Sequence, residues 1–121
     1  MIFADTHILV WLGQASERLP AQARDRLIEE GFAVSAVTAW EYADLHGRGR
    51  MRGAVSLDRI VEAFGCPIID FPADAADVAA SLPHDHGDPL DRMLVGHAIS
   101  ASAVLATADR KMRQYPVSLL W

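Results

Sequence analysis

Short unbroken apolar runs alternate along the chain with stretches of helical periodicity. Met1-Ile2-Phe3-Ala4 is the first run and ends at Asp5. Phe32-Ala33-Val34, Pro67-Ile68-Ile69, Ala103-Val104-Leu105-Ala106 and Val117-Ser118-Leu119-Leu120-Trp121 are the others. Runs of this length predict strands buried on both faces. Between them, apolar residues recur three and four apart. His7 to Leu12 predicts a short helix, with a loop from Gly13 to Leu19. Pro20 opens a helix to about Glu30, with Ala23, Leu27 and Ile28 on its apolar side and Gly31 as its stop. Ser35 is placed to cap a helix from Ala36 to about Leu45, and Ser56 one to about Phe64. Pro72 to Ser81 carries a short alanine-rich helix.

Asp88-Pro89 marks the start of the next helix. A short acid can cap the free N–H groups, and proline at the first helical position forfeits no needed donor. Leu90, Leu94, Ala98 and Ala101 follow at helical spacing, with Met93 and His97 beside them. Asp91 falls in the first turn, where the helix dipole favours negative charge. A reciprocal cap, Asp91 tied back to the backbone of Asp88, is one sufficient reason for it. After the fourth run come Thr107-Ala108-Asp109 and a short basic helical turn.

Apolar strands alternating with helices predict an α/β fold, a central parallel sheet covered on both faces. No internal repeat, low-complexity tract or linker interrupts the pattern, so residues 1–121 read as a single domain. Ligands of open parallel sheets bind outside the carboxyl ends of the strands. Asp5 and Asp109 stand at such ends, and Glu41 lies on the helix leaving the second strand. With Asp91 they make four acids that the fold can gather on one edge. Each alone has an ordinary explanation as a helix cap, an exposed helix residue or a turn acid. Gathered together, they must share protons, pair with bases or hold cations. Oxygen-only ligands suit Mg²⁺ and Mn²⁺, and a metal so held can activate water and neutralise charge at a phosphodiester.

Composition narrows the setting. At 121 residues and 51% hydrophobic, the chain is large enough for a core without disulfides. Its one cysteine, Cys66, fits a reducing, cytoplasmic compartment. The stretch Met1 to Val10 carries Asp5 and His7 and no basic leader. No apolar run approaches the roughly 20 residues of a membrane span, so a soluble protein is expected. A net charge of -5 opposes whole-surface attraction to nucleic acid but not a nuclease whose carboxylates await cations. Arg48, Arg50 and Arg52, and Arg110, Lys111 and Arg113, form two basic clusters, either plain solvated surface or a phosphate-contacting rim.

The chain resembles a PIN domain, in particular the toxin half of a VapBC toxin–antitoxin pair, over nearly its whole length. The resemblance rests on Asp5-Thr6-His7 with Leu9 and Trp11, on Val34-Ser35-Ala36 with Trp40-Glu41, and on Asp88-Pro89-Leu90-Asp91-Arg92-Met93-Leu94. Thr107-Ala108-Asp109-Arg110-Lys111 and the closing Leu119-Leu120-Trp121 fit as well. It implies a three-layer α/β/α sandwich and a Mg²⁺-dependent endoribonuclease, usually dimeric and held inactive by an antitoxin. By position, Asp5, Glu41, Asp91 and Asp109 match the family's four acids, expected to be both catalytic and metal-holding. Asp88 and Thr107 match residues that line or support the site. Gly96 departs from the family's usual alanine, and Met112 from the commoner aromatic.

The expected chemistry is hydrolysis of single-stranded RNA with water activated by Mg²⁺ (or Mn²⁺) for in-line attack, with no histidine as base. Some apolar surface around Trp11, Trp40 and Leu45 is expected to be exposed in the free protein and covered by an antitoxin, while Trp40 beside Glu41 suggests a partly buried surface there. Three other readings compete. His7, His84, His86 and His97 invite a zinc site, although Cys66 sits apart from them. A phospho-accepting receiver domain would use Asp70, at the end of the third strand, with Thr107 as its switch, but it leaves Glu41 and Asp91 unexplained. A PIN-like domain that only binds partners would keep the fold without the chemistry.

Overall fold

Neighbouring residues of the first strand serve different layers. In β1 (Ile2–Ala4), Ile2 and Ala4 join one hydrophobic cluster and Phe3 joins another. The same alternation, required by the two-residue period of a strand, recurs in β4 (Val104–Ala106), where Ala106 goes one way and Leu105 the other. The chain thus builds a sheet with a core on each face. A computed structural model describes residues 1–83 and 88–121.

All strand pairs are parallel. β1 pairs with β4 in the register Ile2–Val104 to Ala4–Ala106, and β4 pairs with β5 (Ser118–Leu120). On the other side, β2 (Val34–Ser35) pairs with β3 (Ile68–Ile69). The two groups join through a bridge between Phe3 and Ala33, with Ala33 N–H donating to the Ile2 carbonyl at 2.8 Å. The resulting order is β3-β2-β1-β4-β5.

One face is covered by α1 (Thr6–Gln14), α2 (Ala21–Glu30) and α4 (Leu57–Phe64), which bring Leu9, Leu27 and Ile60 against Ile2 and Val34. The other is covered by α6 (Pro89–Ser100) and a 3-10 turn at Arg110–Gln114, with Leu94, Val95 and Met112 against Phe3 and Leu105. α5 (Ala73–Ser81) lies against α6. α3 (Ala36–Gly47) follows β2 directly and contacts both α1 and α6, joining the two helical layers. The chain is the three-layer α/β/α sandwich its pattern predicts.

Four local expectations need correction. Helix α1 runs two residues beyond Leu12, to Gln14, and ends at Ala15 in the left-handed region. Ile28, placed on the apolar side of α2, is 53% exposed. β3 is not buried on both faces, because it is the outermost strand and Ile68 is exposed. Ser56 occupies the cap position of α4 without a side-chain cap bond; its carbonyl accepts from the Arg59 N–H at 3.1 Å instead. Among the described residues no helix is long and apolar enough to cross a membrane.

The strand order also removes the receiver reading. A receiver's order of 2-1-3-4-5 puts its third strand in the middle of the sheet. Here β3 is at the margin, and Asp70 behind it is exposed.

Candidate functional site

From β1 the chain crosses to β2 on one side, while β4 flanks β1 on the other, so the connections diverge between β1 and β4. Such a divergence opens a crevice at the carboxyl ends of the strands. Asp5 and Thr107 stand at its two lips. Asp5 caps α1, its Oδ1 accepting from the Thr6 N–H at 2.7 Å, and its Oδ2 accepts from Thr107 Oγ1 at 2.7 Å. Thr107 Oγ1 in turn accepts from the Asp109 N–H at 3.1 Å. Asp109 Oδ1 accepts from the Lys111 N–H at 2.9 Å, capping the 3-10 turn. The capping roles considered for Asp5 and Asp109 are real, and each leaves part of its carboxylate at the crevice.

Glu41 arrives on α3, whose start is set by Ser35 Oγ accepting from the Val37 N–H at 3.2 Å. The buried Thr6 hydroxyl donates to Glu41 Oε1, linking the second acid to the residue next to the first. Asp91 comes from the first turn of α6, which Asp88 caps by accepting from the Leu90 N–H at 2.9 Å. Asp5, Glu41 and Asp91 together wall a cavity of about 10 Å³, close to the smallest volume that holds one water. Val37, Leu90 and Leu94 close its apolar side. A wider groove of about 510 Å³ lies over it and takes in Asp88 and Asp109 as well.

The charges report the same convergence. Burial, then Asp88, Asp5, Asp109 and Glu41, push the Asp91 carboxyl up to about 6. Burial also raises Asp5, against the opposing hydrogen bonds from Thr107 and the Thr6 backbone. The ion pairs Arg26–Glu30 and Arg48–Asp44 are exposed pairs within single helices and do not reach these acids.

Two threonines escaped the sequence reading. Thr6 positions Glu41, and its adjacency to Asp5 was the available signal. Thr38, three residues before Glu41 on α3, lines the small cavity and is buried. Its hydroxyl has no hydrogen-bond partner among the described residues. A buried hydroxyl left unpaired is costly.

Among the described residues the histidines do not assemble. His97 is buried against Phe3 and Phe71 and shares a 2.8 Å hydrogen bond with Ser35 Oγ. His7 is exposed at the groove, and His84 and His86 lie outside the described residues. Among the described residues no three His, Cys, Asp or Glu side chains stand ready to hold a metal as they are placed. Trp40 is 58% exposed, in line with the apolar surface expected to stand open in the free protein, although its place beside Glu41 suggests partial burial. Trp11 and Leu45 are half-buried.

Known proteins share this fold. A ribonuclease of Mycobacterium tuberculosis, VapC22, is 27% identical over 119 residues, covering 94% of this chain and 91% of that protein. VapBC2 from Rickettsia felis, solved bound to a promoter DNA fragment, superimposes with a TM-score of 0.73 at 21% identity, over 99% of this chain and 98% of that one. FitAcB from Neisseria gonorrhoeae does so at 0.69 and 21%, over 100% and 97%. The family model for the PIN domain matches residues 2–117, and this chain belongs to the PIN domain family.

Proposed function

We propose that the chain is the toxin of a VapBC-like type II toxin–antitoxin system, an endoribonuclease that cleaves single-stranded RNA in the cytoplasm with Mg²⁺ or Mn²⁺. The observation that carries this reading is the cavity walled by Asp5, Glu41 and Asp91, with Asp109 in the groove over it and with Thr38, whose buried hydroxyl has no hydrogen-bond partner among the described residues, in its lining. The donor set is all oxygen, as hard divalent cations require, and burial together with Asp88, Asp5, Asp109 and Glu41 raises the Asp91 carboxyl. The fit is one of donor chemistry and charge rather than of a ready-made ligand shell. The name of the VapC22 relative supports ribonuclease chemistry.

Asp5, Glu41 and Asp91 would hold the ion, and Asp109 would complete the site. When bound, the ion supplies Lewis-acid activation of water and neutralises charge on the scissile phosphate. The chain's own part is positional. Thr107 and the Thr6 amide fix both oxygens of Asp5, Thr6 fixes one oxygen of Glu41, and the α6 cap at Asp88 sets the turn that carries Asp91.

Among the similar solved structures, one from Klebsiella pneumoniae is a toxin–antitoxin complex. We extend this to a cognate antitoxin and a homodimer here. The uncharged groove of Val37, Trp40, Phe71, Leu90 and Met93 offers such protein partners an apolar face. The direct test is cleavage of single-stranded RNA by the purified, antitoxin-free protein with Mg²⁺ or Mn²⁺, abolished by EDTA. Undiminished cleavage in EDTA overturns the metal, and no cleavage under any divalent ion favours the binding-only alternative.

A further inference from the structure

The groove over the acids is not uniformly acidic. Helix α1 leaves Asp5 with His7 and Trp11 one turn apart on the same side, and both line the groove. Their rings are 6.0 Å apart between centroids. Behind Trp11 stands Trp121, 5.6 Å away and tilted by 55°. Trp11 is half-buried and packs against the core on the α1 face, while Trp121 is 41% exposed, so the pair sits at the edge of that core with a side open to solvent. Arg18, from the loop after α1, and Lys111, from the 3-10 turn, line the same groove.

This combination differs in kind from the groove around Trp40. That one is lined by apolar side chains alone, which suits a protein surface. The groove at Trp11 sets an indole and two cations beside the carboxylates. A nucleic-acid strand has a π-face and a phosphate at every step, and single strands are held by aromatic stacking together with cations along the backbone. Paired bases have no free face to offer, whereas unpaired ones do. In a chain of net charge -5, two cations at the groove are also where phosphate attraction must come from.

We propose that Trp11, buttressed by Trp121 and His7, is the stacking platform for one unpaired base next to the cleaved phosphodiester. Arg18 and Lys111 hold the flanking phosphates. The proposal rests on reading the acids as a ribonuclease site and adds how that site selects single strands.

The test uses the full chain and a short, unstructured, end-labelled RNA, alongside copies carrying one abasic residue at successive positions. Binding is read by fluorescence anisotropy in an Asp91→Asn background, which blocks turnover and removes one repelling charge. Cleavage is read separately with Asp91 intact. Trp11→Ala is expected to weaken RNA binding roughly five- to a hundredfold, the range of one base–aromatic stack, and to raise KM while kcat stays within about twofold. Trp11→Phe should restore most of the binding and Trp11→Leu should not, because leucine fills space without a π-face. One abasic position should make the RNA insensitive to Trp11→Ala.

Trp121→Ala, at the more exposed ring, gives a smaller loss of the same kind and serves if Trp11→Ala does not fold. Equal rescue by Leu and Phe, or unchanged binding in Trp11→Ala and Trp121→Ala, overturns the platform. Loss of antitoxin binding with RNA binding intact overturns it too and assigns the groove to a protein. Normal cleavage with Trp11-independent binding sinks the platform alone. Trp11-dependent binding without cleavage sinks the ribonuclease reading alone.

Discussion

Thr107 Oγ1 donates to Asp5 Oδ2 at 2.7 Å across 102 residues of sequence. The bond ties the carboxyl end of β4 to that of β1 where the strand connections diverge. The same oxygen accepts from the Asp109 backbone, so one hydroxyl sets two of the four acids.

Replacing that hydroxyl is therefore expected to cost more function than fold. Thr107→Val keeps the shape but leaves a buried carboxylate oxygen unpaired. Groups of this supporting kind typically contribute 10- to 100-fold to metal affinity or activity, and a loss of about that size is expected in RNA cleavage. Thr107→Ser should retain most of it. Isothermal titration with Mn²⁺ and cleavage assays on the three proteins decide, and wild-type affinity in Thr107→Val would refute the role.

Asp91 predicts a pH dependence of the metal-free protein. Its carboxyl titrates at about 6 when folded, against about 3.9 in an unfolded chain. Between these values the folded state keeps a proton that the unfolded state releases. The favourable contribution is whole below about pH 4 and is lost as pH rises through 6. Asp91→Asn lacks this loss. Its stability relative to wild type should rise from pH 4 to pH 7 by on the order of 1 kcal/mol, discounted because the carboxyl is half-exposed. His97 titrates in both proteins and cancels in the difference. Denaturant melts at the two pH values measure it, and a variant that loses stability relative to wild type would make Asp91 a helix cap.

Thr38 should show the opposite balance to an ordinary buried hydroxyl. Thr38→Val removes an unpaired polar atom at nearly constant shape, so metal-free stability should hold or increase, by up to about 1 to 2 kcal/mol. The rise in melting temperature on adding Mg²⁺ should shrink, because a ligand stabilises only through the affinity it has for the folded state. A lower melting temperature without metal would mean the hydroxyl is satisfied and has no part in the site.

Gly96 is expected to resist the substitution its family resemblance suggests. A Cβ there would stand 2.7 Å from both Cβ and the backbone nitrogen of Ala79 and 2.9 Å from the Ala75 carbonyl oxygen. Alanine normally gains about 1 kcal/mol over glycine inside a helix. Here overpacking against α5, at about 1 to 3 kcal/mol, outweighs that gain. Gly96→Ala should thus unfold at lower urea concentration than wild type, and a more stable variant would show that α5 and α6 can separate freely.

What the sequence determined by itself is whatever short-range physics controls. Apolar runs marked all five strands. Gly31 and the capping residues Ser35, Asp88 and Asp109 marked helix ends, because a cap needs only its own few neighbours. The acids at the strand ends followed from the same reading, since parallel strands joined by helices expose one common edge. The tertiary structure decided everything that depends on which strand lies beside which. The β3-β2-β1-β4-β5 order put Asp5 against Thr107 and left Ile68 at the margin. The roles of Thr6 and Thr38 were invisible because a hydroxyl takes its meaning from what faces it, here Glu41 and the shared cavity. Ile28 was misjudged, and the tight seat of Gly96 against α5 was hidden, for a related reason. Periodicity says which side chains share a helix face, but only packing says whether another element covers that face, and how closely.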